Sequence, residues 1–216
     1  LSVKGDTLYA ASNDAGVYRS VNKGQTWNAI TGNLSYKVIP AVYATQAGIY
    51  TGTEGGGVYF SPDGSGSWVS RSSGLSYAGA GLVRAIGNTV FSAAGTGAGL
   101  YRSTNKGVER VQVNTGLPST DIHDMTELNG ILFAATGWGT AKSMDNGKTW
   151  APASFGQNDP DIRSITVHNN MLFAGTFGGF IYKSTNNGLV WMGSSTGINH
   201  ADITGLINAG GYLYAG

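Results

Sequence analysis

Short runs of β-forming residues recur along the chain, each bounded by glycine, asparagine or aspartate. One set reads Thr7-Leu8-Tyr9-Ala10-Ala11, Gly48-Ile49-Tyr50-Thr51-Gly52, Thr89-Val90-Phe91-Ser92-Ala93, Ile131-Leu132-Phe133-Ala134-Ala135 and Met171-Leu172-Phe173-Ala174-Gly175. Each follows another apolar segment and precedes a turn, glycine-rich in Glu54-Gly55-Gly56-Gly57. A third run comes next, as in Gly16-Val17-Tyr18-Arg19, Gly57-Val58-Tyr59-Phe60, Gly99-Leu100-Tyr101-Arg102 and Phe180-Ile181-Tyr182-Lys183. A fourth starts near a tryptophan and ends at a pair such as Gly74-Leu75, Gly116-Leu117 or Gly197-Ile198. Alternation holds over a few residues at a time, and no segment sustains the 3.6-residue period of a helix. The pattern predicts an all-β chain with four strands, A to D, in each repeat.

A motif between strands C and D sets the period. Its copies begin at Ser20 (SVNKGQTW), Ser61 (SPDGSGSW), Ser103 (STNKGVER), Ser143 (SMDNGKTW) and Ser184 (STNNGLVW), separated by 41, 42, 40 and 41 residues. A repeat of that length built from short strands predicts a β-propeller of four-stranded antiparallel blades. Residues 1–216 are expected to form a single domain, with blades at about 1–34, 35–75, 76–117, 118–158 and 159–198 and a partial blade at 199–216. Strands A and B occur six times and strands C and D five times. The expectation is therefore a fragment of a six- or seven-bladed ring, or an incomplete ring.

The motif's residue types suit a tight turn. Its serine (Ser20, Ser61, Ser103, Ser143, Ser184) and the Asp or Asn two residues on (Asn22, Asp63, Asn105, Asp145, Asn186) can bond backbone groups within the turn. Gly24, Gly107, Gly147 and Gly188 can take positive φ. Trp27, Trp68, Trp150 and Trp191 offer apolar surface to pin the hairpin to its blade. The second copy has Ser65 in the glycine position, and the third has Arg110 in the tryptophan position, expected to lay its stem and guanidinium where the ring would lie.

The motif resembles the Asp-box, or BNR repeat, of form S-x-D-x-G-x-T-W, once per blade over essentially the whole chain. Within that class the chain resembles the xyloglucanase-like, sortilin-like and photosystem II assembly factor-like group. The resemblance implies that the motif turns are structural and remote from any active centre, and function on this fold varies widely. A sialidase would carry an Arg-Ile-Pro entry motif, and none of the five prolines follows Arg-Ile.

If the motif turns occupy one face, a ligand site is expected on the other, where the B–C turns and the crossings between blades converge. That face would carry Trp138 and Phe177 from the turns and Tyr36, Tyr77, Asp159 and His200 from the crossings. Trp138 lies between glycines outside the motif's own tryptophan slot, so it is either an exposed stacking platform or a lid over the neighbouring blade. Tyr36 and Tyr77 are either rim aromatics or covers of a blade junction. Asp121, Asp161 and Asp202 each precede an isoleucine just before strand A. They are weak catalytic candidates for the acid and base of glycoside hydrolysis. The simpler expectation is that each satisfies a backbone donor at its crossing. His123, His168 and His200 fall on separate blades without a metal-ligand spacing.

Composition narrows the functional classes. Thirteen basic and twelve acidic residues leave a net charge of +1, with no basic run to neutralise phosphates, so nucleic acid is not an expected partner. No apolar run is long enough for a membrane span, so membrane insertion is not expected. There are no cysteines, hence no thiolate ligand or nucleophile. No metal or cofactor is called for. Low charge and abundant small polar residues lean towards an extracellular or periplasmic protein. The reading is a non-catalytic binding or scaffold propeller for a glycan or protein. The alternatives are part of a xyloglucanase-like glycoside hydrolase acting on a β-glucan, or a structural repeat of a larger exported protein.

Overall fold

The computed structural model describes residues 1–94, 97–153, 160–198 and 201–216. The chain divides into two compact units, Leu1–Gln112 and Val113–Gly216. Among the described residues every regular element is a β-strand. Unit 1 holds three sheets: β1 (Ser2–Lys4), β2 (Thr7–Ser12), β3 (Gly16–Ser20) and β4 (Asn28–Ala29); β5 (Ala41–Thr45), β6 (Gly48–Thr53), β7 (Gly57–Ser61) and β8 (Val69–Ser70); β9 (Leu82–Ile86), β10 (Thr89–Ala94), β11 (Gly99–Ser103) and β12 (Val111–Gln112). Unit 2 holds β13 (Ile122–Leu128), β14 (Ile131–Thr136), β15 (Gly139–Ser143) and β16 (Ala151–Pro152), then β17 (Ile162–His168), β18 (Met171–Thr176), β19 (Ile181–Ser184) and β20 (Met192–Gly193). A two-stranded sheet, β21 (Leu206–Ala209) and β22 (Tyr212–Ala215), follows. Each sheet is an antiparallel meander in chain order, giving five complete four-stranded blades and a partial sixth.

The second strand of each complete blade after the first is almost wholly buried, which explains its unbroken run of apolar and small residues. Core clusters lie between successive blades. Tyr9, Val17 and Ile30 of blade 1 pack with Val42, Ile49 and Trp68 of blade 2. In unit 2, Leu128 and Phe133 of blade 4 pack with Ile165, Leu172 and Trp191 of blade 5. The expectation that the motif tryptophan pins its own blade is therefore corrected. Trp68 sits in the seam with the preceding blade and donates its indole N–H to the Ile30 carbonyl at 2.8 Å. Trp27, in the first blade, has no preceding blade among the described residues and is 38% exposed.

The seams also explain the glycine that ends strand D. A Cβ at Gly74 or Gly116 would fall 2.1 or 1.8 Å from the carbonyl oxygen of Arg110 or Trp150, in the next motif, and both glycines have positive φ. Only hydrogen fits there.

The motif turn is built as its residue types predict, with one addition. In blade 4 the Ser143 hydroxyl accepts from Gly147 N at 2.8 Å and donates to Asp145 at 2.7 Å. Asp145 accepts from Thr149 N, the Thr149 hydroxyl and Lys148 N. Those bonds, led by the Thr149 amide, hold its carboxyl well below the usual range. Asn22 does the same work as an amide, accepting from Thr26 N at 2.9 Å and donating to the Thr26 hydroxyl at 2.8 Å. The addition is a second left-handed residue before the glycine: Lys23, Lys106, Asn146 and Asn187 all have φ between 55° and 61°. In blade 2 Gly64 holds that position, at φ 65°, and its N–H reaches Ser61, so Ser65 is accommodated without positive φ.

Two blades depart from the common pattern. In β13, Ile122 pairs with Thr136 and Asp124 with Ala135, which leaves His123 extra; in β17, Arg163 is extra in the same way. The equivalent strands β5 and β9 pair without a break. Such bulges cost ladder bonds and re-aim a side chain.

Candidate functional site

The two bulges lie at the end of blades 4 and 5 that carries the B–C turns and the crossings, away from the motif turns. There the backbone carbonyls of Asp121 and Asp161 accept from Gly137 N and Phe177 N, each at 2.9 Å. Backbone atoms thus close these two crossings and leave both carboxylates free for other contacts. Only Asp202 meets the expectation that the side chain satisfies a turn, accepting from Gly178 N at 2.7 Å. For Asp121 and Asp161 that expectation is corrected.

His123 stands between the two freed carboxylates, its Nε2 3.2 Å from Asp161 and 3.5 Å from Asp121. Arg163 pairs with the other oxygen of Asp161, and its guanidinium lies 5.4 Å from the centre of the Phe177 ring. His123 Nε2, Asp161 Oδ1 and Arg163 Nε are buried without an aligned hydrogen bond, although the first two are within ion-pair distance of each other. Three such atoms therefore lie within one cluster. Among the described residues no group of three His, Asp or Glu is placed to hold a metal ion.

Trp138 is 70% exposed and Phe177 58% exposed at the tips of the two turns. Trp138 is anchored by its N–H to the Thr136 hydroxyl at 3.1 Å. The alternative that it forms a lid over the core is overturned. Beside it, at the same end of blade 4, the Asp121 side chain is 49% exposed. This end of unit 2 therefore presents two flat aromatic rings, a largely engaged carboxylate, an open one and a histidine.

In unit 1 the corresponding end carries Tyr36 and Tyr77. Tyr36 lies flat over the Gly55-Gly56 turn, where a Cβ on either glycine would come within 2.8 Å of its ring. Tyr77, with Pro40, Glu54 and Ala78 to Gly81, lines a pocket of about 410 Å³. Asp159 and His200 lie outside the described residues. His123 and Arg163 were not singled out in the sequence as site residues, although Asp-Ile-His and Asp-Ile-Arg two residues past each crossing aspartate were visible.

Solved structures of similar fold are numerous. YCF48 from Cyanidioschyzon merolae matches with a TM-score of 0.73 and 14% identity over 99% of this chain and 77% of its own. The extracellular domain assigned to a hybrid two component system of B. thetaiotaomicron matches with a TM-score of 0.80 and 15% identity, over 98% of this chain and 30% of its own. A GH74 xyloglucanase from Xanthomonas campestris matches with a TM-score of 0.71 and 16% identity, over 89% of this chain and 37% of its own. The fold is that of a β-propeller. The propeller spans well under half the length of the latter two proteins, and at these identities the likeness is one of fold. YCF48 has also been solved bound to D1 peptide. No protein-family model matches the chain, and no curated protein matches it.

Proposed function

We propose that the chain is a non-catalytic binding propeller that holds a glycan or protein partner on the turn-and-crossing end of blades 4 and 5. The observation that carries this reading is Trp138, a large ring exposed on an anchored turn beside the open carboxylate of Asp121. A ring of that size at the tip of an anchored turn offers a flat apolar face with a polar N–H edge, which suits contact with a partner. In the same reading residues 1–216 act as one domain, the motif turns are Asp-boxes, and the protein works outside the cytoplasm. Support for a binding role comes from the YCF48 propeller solved with a peptide, and for export from the extracellular propeller domain.

A second reading, part of a glycoside hydrolase acting on a β-glucan, is favoured by one observation: Asp121 and Asp161, on neighbouring blades, meet at a single imidazole nitrogen. Against it, Asp161 is taken up by Arg163 and His123. Parallel glycan and peptide arrays, with a reducing-sugar assay on β-glucans, separate the two. Binding without turnover that is lost in Trp138→Ala is the expected result. Sugar release abolished by Asp161→Asn would establish the hydrolase instead.

A further inference from the structure

We propose that Trp138 and Asp121 together receive a lysine or arginine side chain from an extended segment of a partner protein. This deepens the binding reading given above and rests on it.

The two bulged blades are near copies, and blade 5 already contains the complex that blade 4 lacks. In blade 5 the cation Arg163, supplied by the bulge, lies over the ring of Phe177 on the B–C turn while its guanidinium pairs with Asp161 on the crossing. Aromatic face, cation and carboxylate thus form one stack. Blade 4 has the same carboxylate, Asp121, on the same crossing, and its aromatic ring, Trp138, stands one position further along the same turn. Its bulge residue is His123, which is turned between the two carboxylates. Trp138 carries no cation on its ring among the described residues and is the more exposed of the two rings. Indole is also the stronger cation–π partner.

Charge favours the same occupant. At this end of unit 2 the described residues carry Asp121, Asp161 and Asp202 against Arg163. Asp161 is engaged by Arg163 and His123, and Asp202 caps Gly178, so Asp121 is the carboxylate left open to an incoming group. An excess of negative charge attracts a cationic side chain from a distance, whereas a neutral sugar gains only short-range hydrogen bonds from its hydroxyls to the carboxylate. Because Trp138 stands proud of the surface, the residue is offered to an extended segment laid across the turn rather than to a ligand in a closed cavity.

The test uses the whole chain and extended glycine–serine peptides bearing one central arginine, lysine or neutral citrulline, followed by amide and indole NMR shifts. The arginine and lysine peptides should shift the Trp138 indole and the Gly137 and Asp121 amides saturably. Citrulline should not. Asp121→Asn and added salt should each weaken binding about fivefold, as expected for an exposed cation–π contact with one ion pair. Trp138→Ala should abolish it, while Val69→Ala, at an exposed position in the other unit, should leave it unchanged. Equal shifts with citrulline, or glycan binding at Trp138 indifferent to salt and to Asp121→Asn, would overturn this inference and leave the binding reading standing. If no peptide or glycan perturbs any residue at this end of blades 4 and 5, both fall.

Discussion

Arg110 occupies the position that tryptophan holds in the four other motif copies, and its surroundings show what that position requires. It is 4% exposed, and its Nε donates to the Arg71 carbonyl at 2.9 Å, as the indole of Trp68 donates to Ile30 one blade earlier. Both Nη groups are buried without a partner. Burial lowers the guanidinium to about 10, so the folded state binds this proton more weakly than the unfolded chain and the charge opposes folding at neutral pH. Arg110→Trp should restore the seam and raise stability by about 1–3 kcal/mol, read from urea denaturation. A second residue-scale prediction concerns the best-formed turn. Ser143→Ala removes the acceptor for Gly147 N and should cost about 1 kcal/mol, whereas Asp145→Asn should be milder because Asn22 makes the equivalent bonds in blade 1. Since its bonds to Thr149, Ser143 and Lys148 lower the Asp145 pKa, its contribution is present at neutral pH and disappears as acid protonates the folded form, below about pH 4. The acid limb of the stability curve should therefore be shallower in Asp145→Asn.

At the scale of elements, the seam between consecutive blades is the unit of construction. Gly32, Gly74 and Gly116 stand where strand D ends, because the next motif's backbone passes too close there for a side chain. Gly116→Ala would set a Cβ against the Trp150 carbonyl at positive φ, and should cost about 1–3 kcal/mol in thermal or denaturant unfolding. Strand identity and the C–D turn were legible in the sequence, since Ser143 to Trp150 carries its whole bonding pattern within eight residues. The bulges in β13 and β17 were not. Asp121 and Asp161 look like turn residues because Asp so often caps a backbone donor. The crossings are instead closed through their carbonyls, and whether a carbonyl or a carboxylate does that job depends on strand pairing that no local window records. His123 was likewise unremarkable alone, and became part of a site only when two blades brought two carboxylates to it.

Across the described residues, burial of the second strand differs from blade to blade. The second strands of blades 2 and 3 are buried along their full length, whereas β21 and β22 are largely exposed, with Ile207, Tyr212 and Tyr214 open to solvent. Amide hydrogen exchange should be fastest in β21–β22 and slowest in β6 and β10, because exchange follows the local free energy of opening. The sequence by itself determined the all-β class, the blade period and the motif turns, since all of these arise from contacts within a few tens of residues repeated in register. It also set which end of the blades carries the B–C turns and crossings, as a consequence of where the motif turns must lie. Tertiary structure decided which blade each tryptophan serves, which aspartates are free of the turns, and which blades bring a histidine between two carboxylates. Those outcomes depend on atoms about one repeat apart in sequence meeting across a seam, and such meetings are set by packing rather than by local pattern.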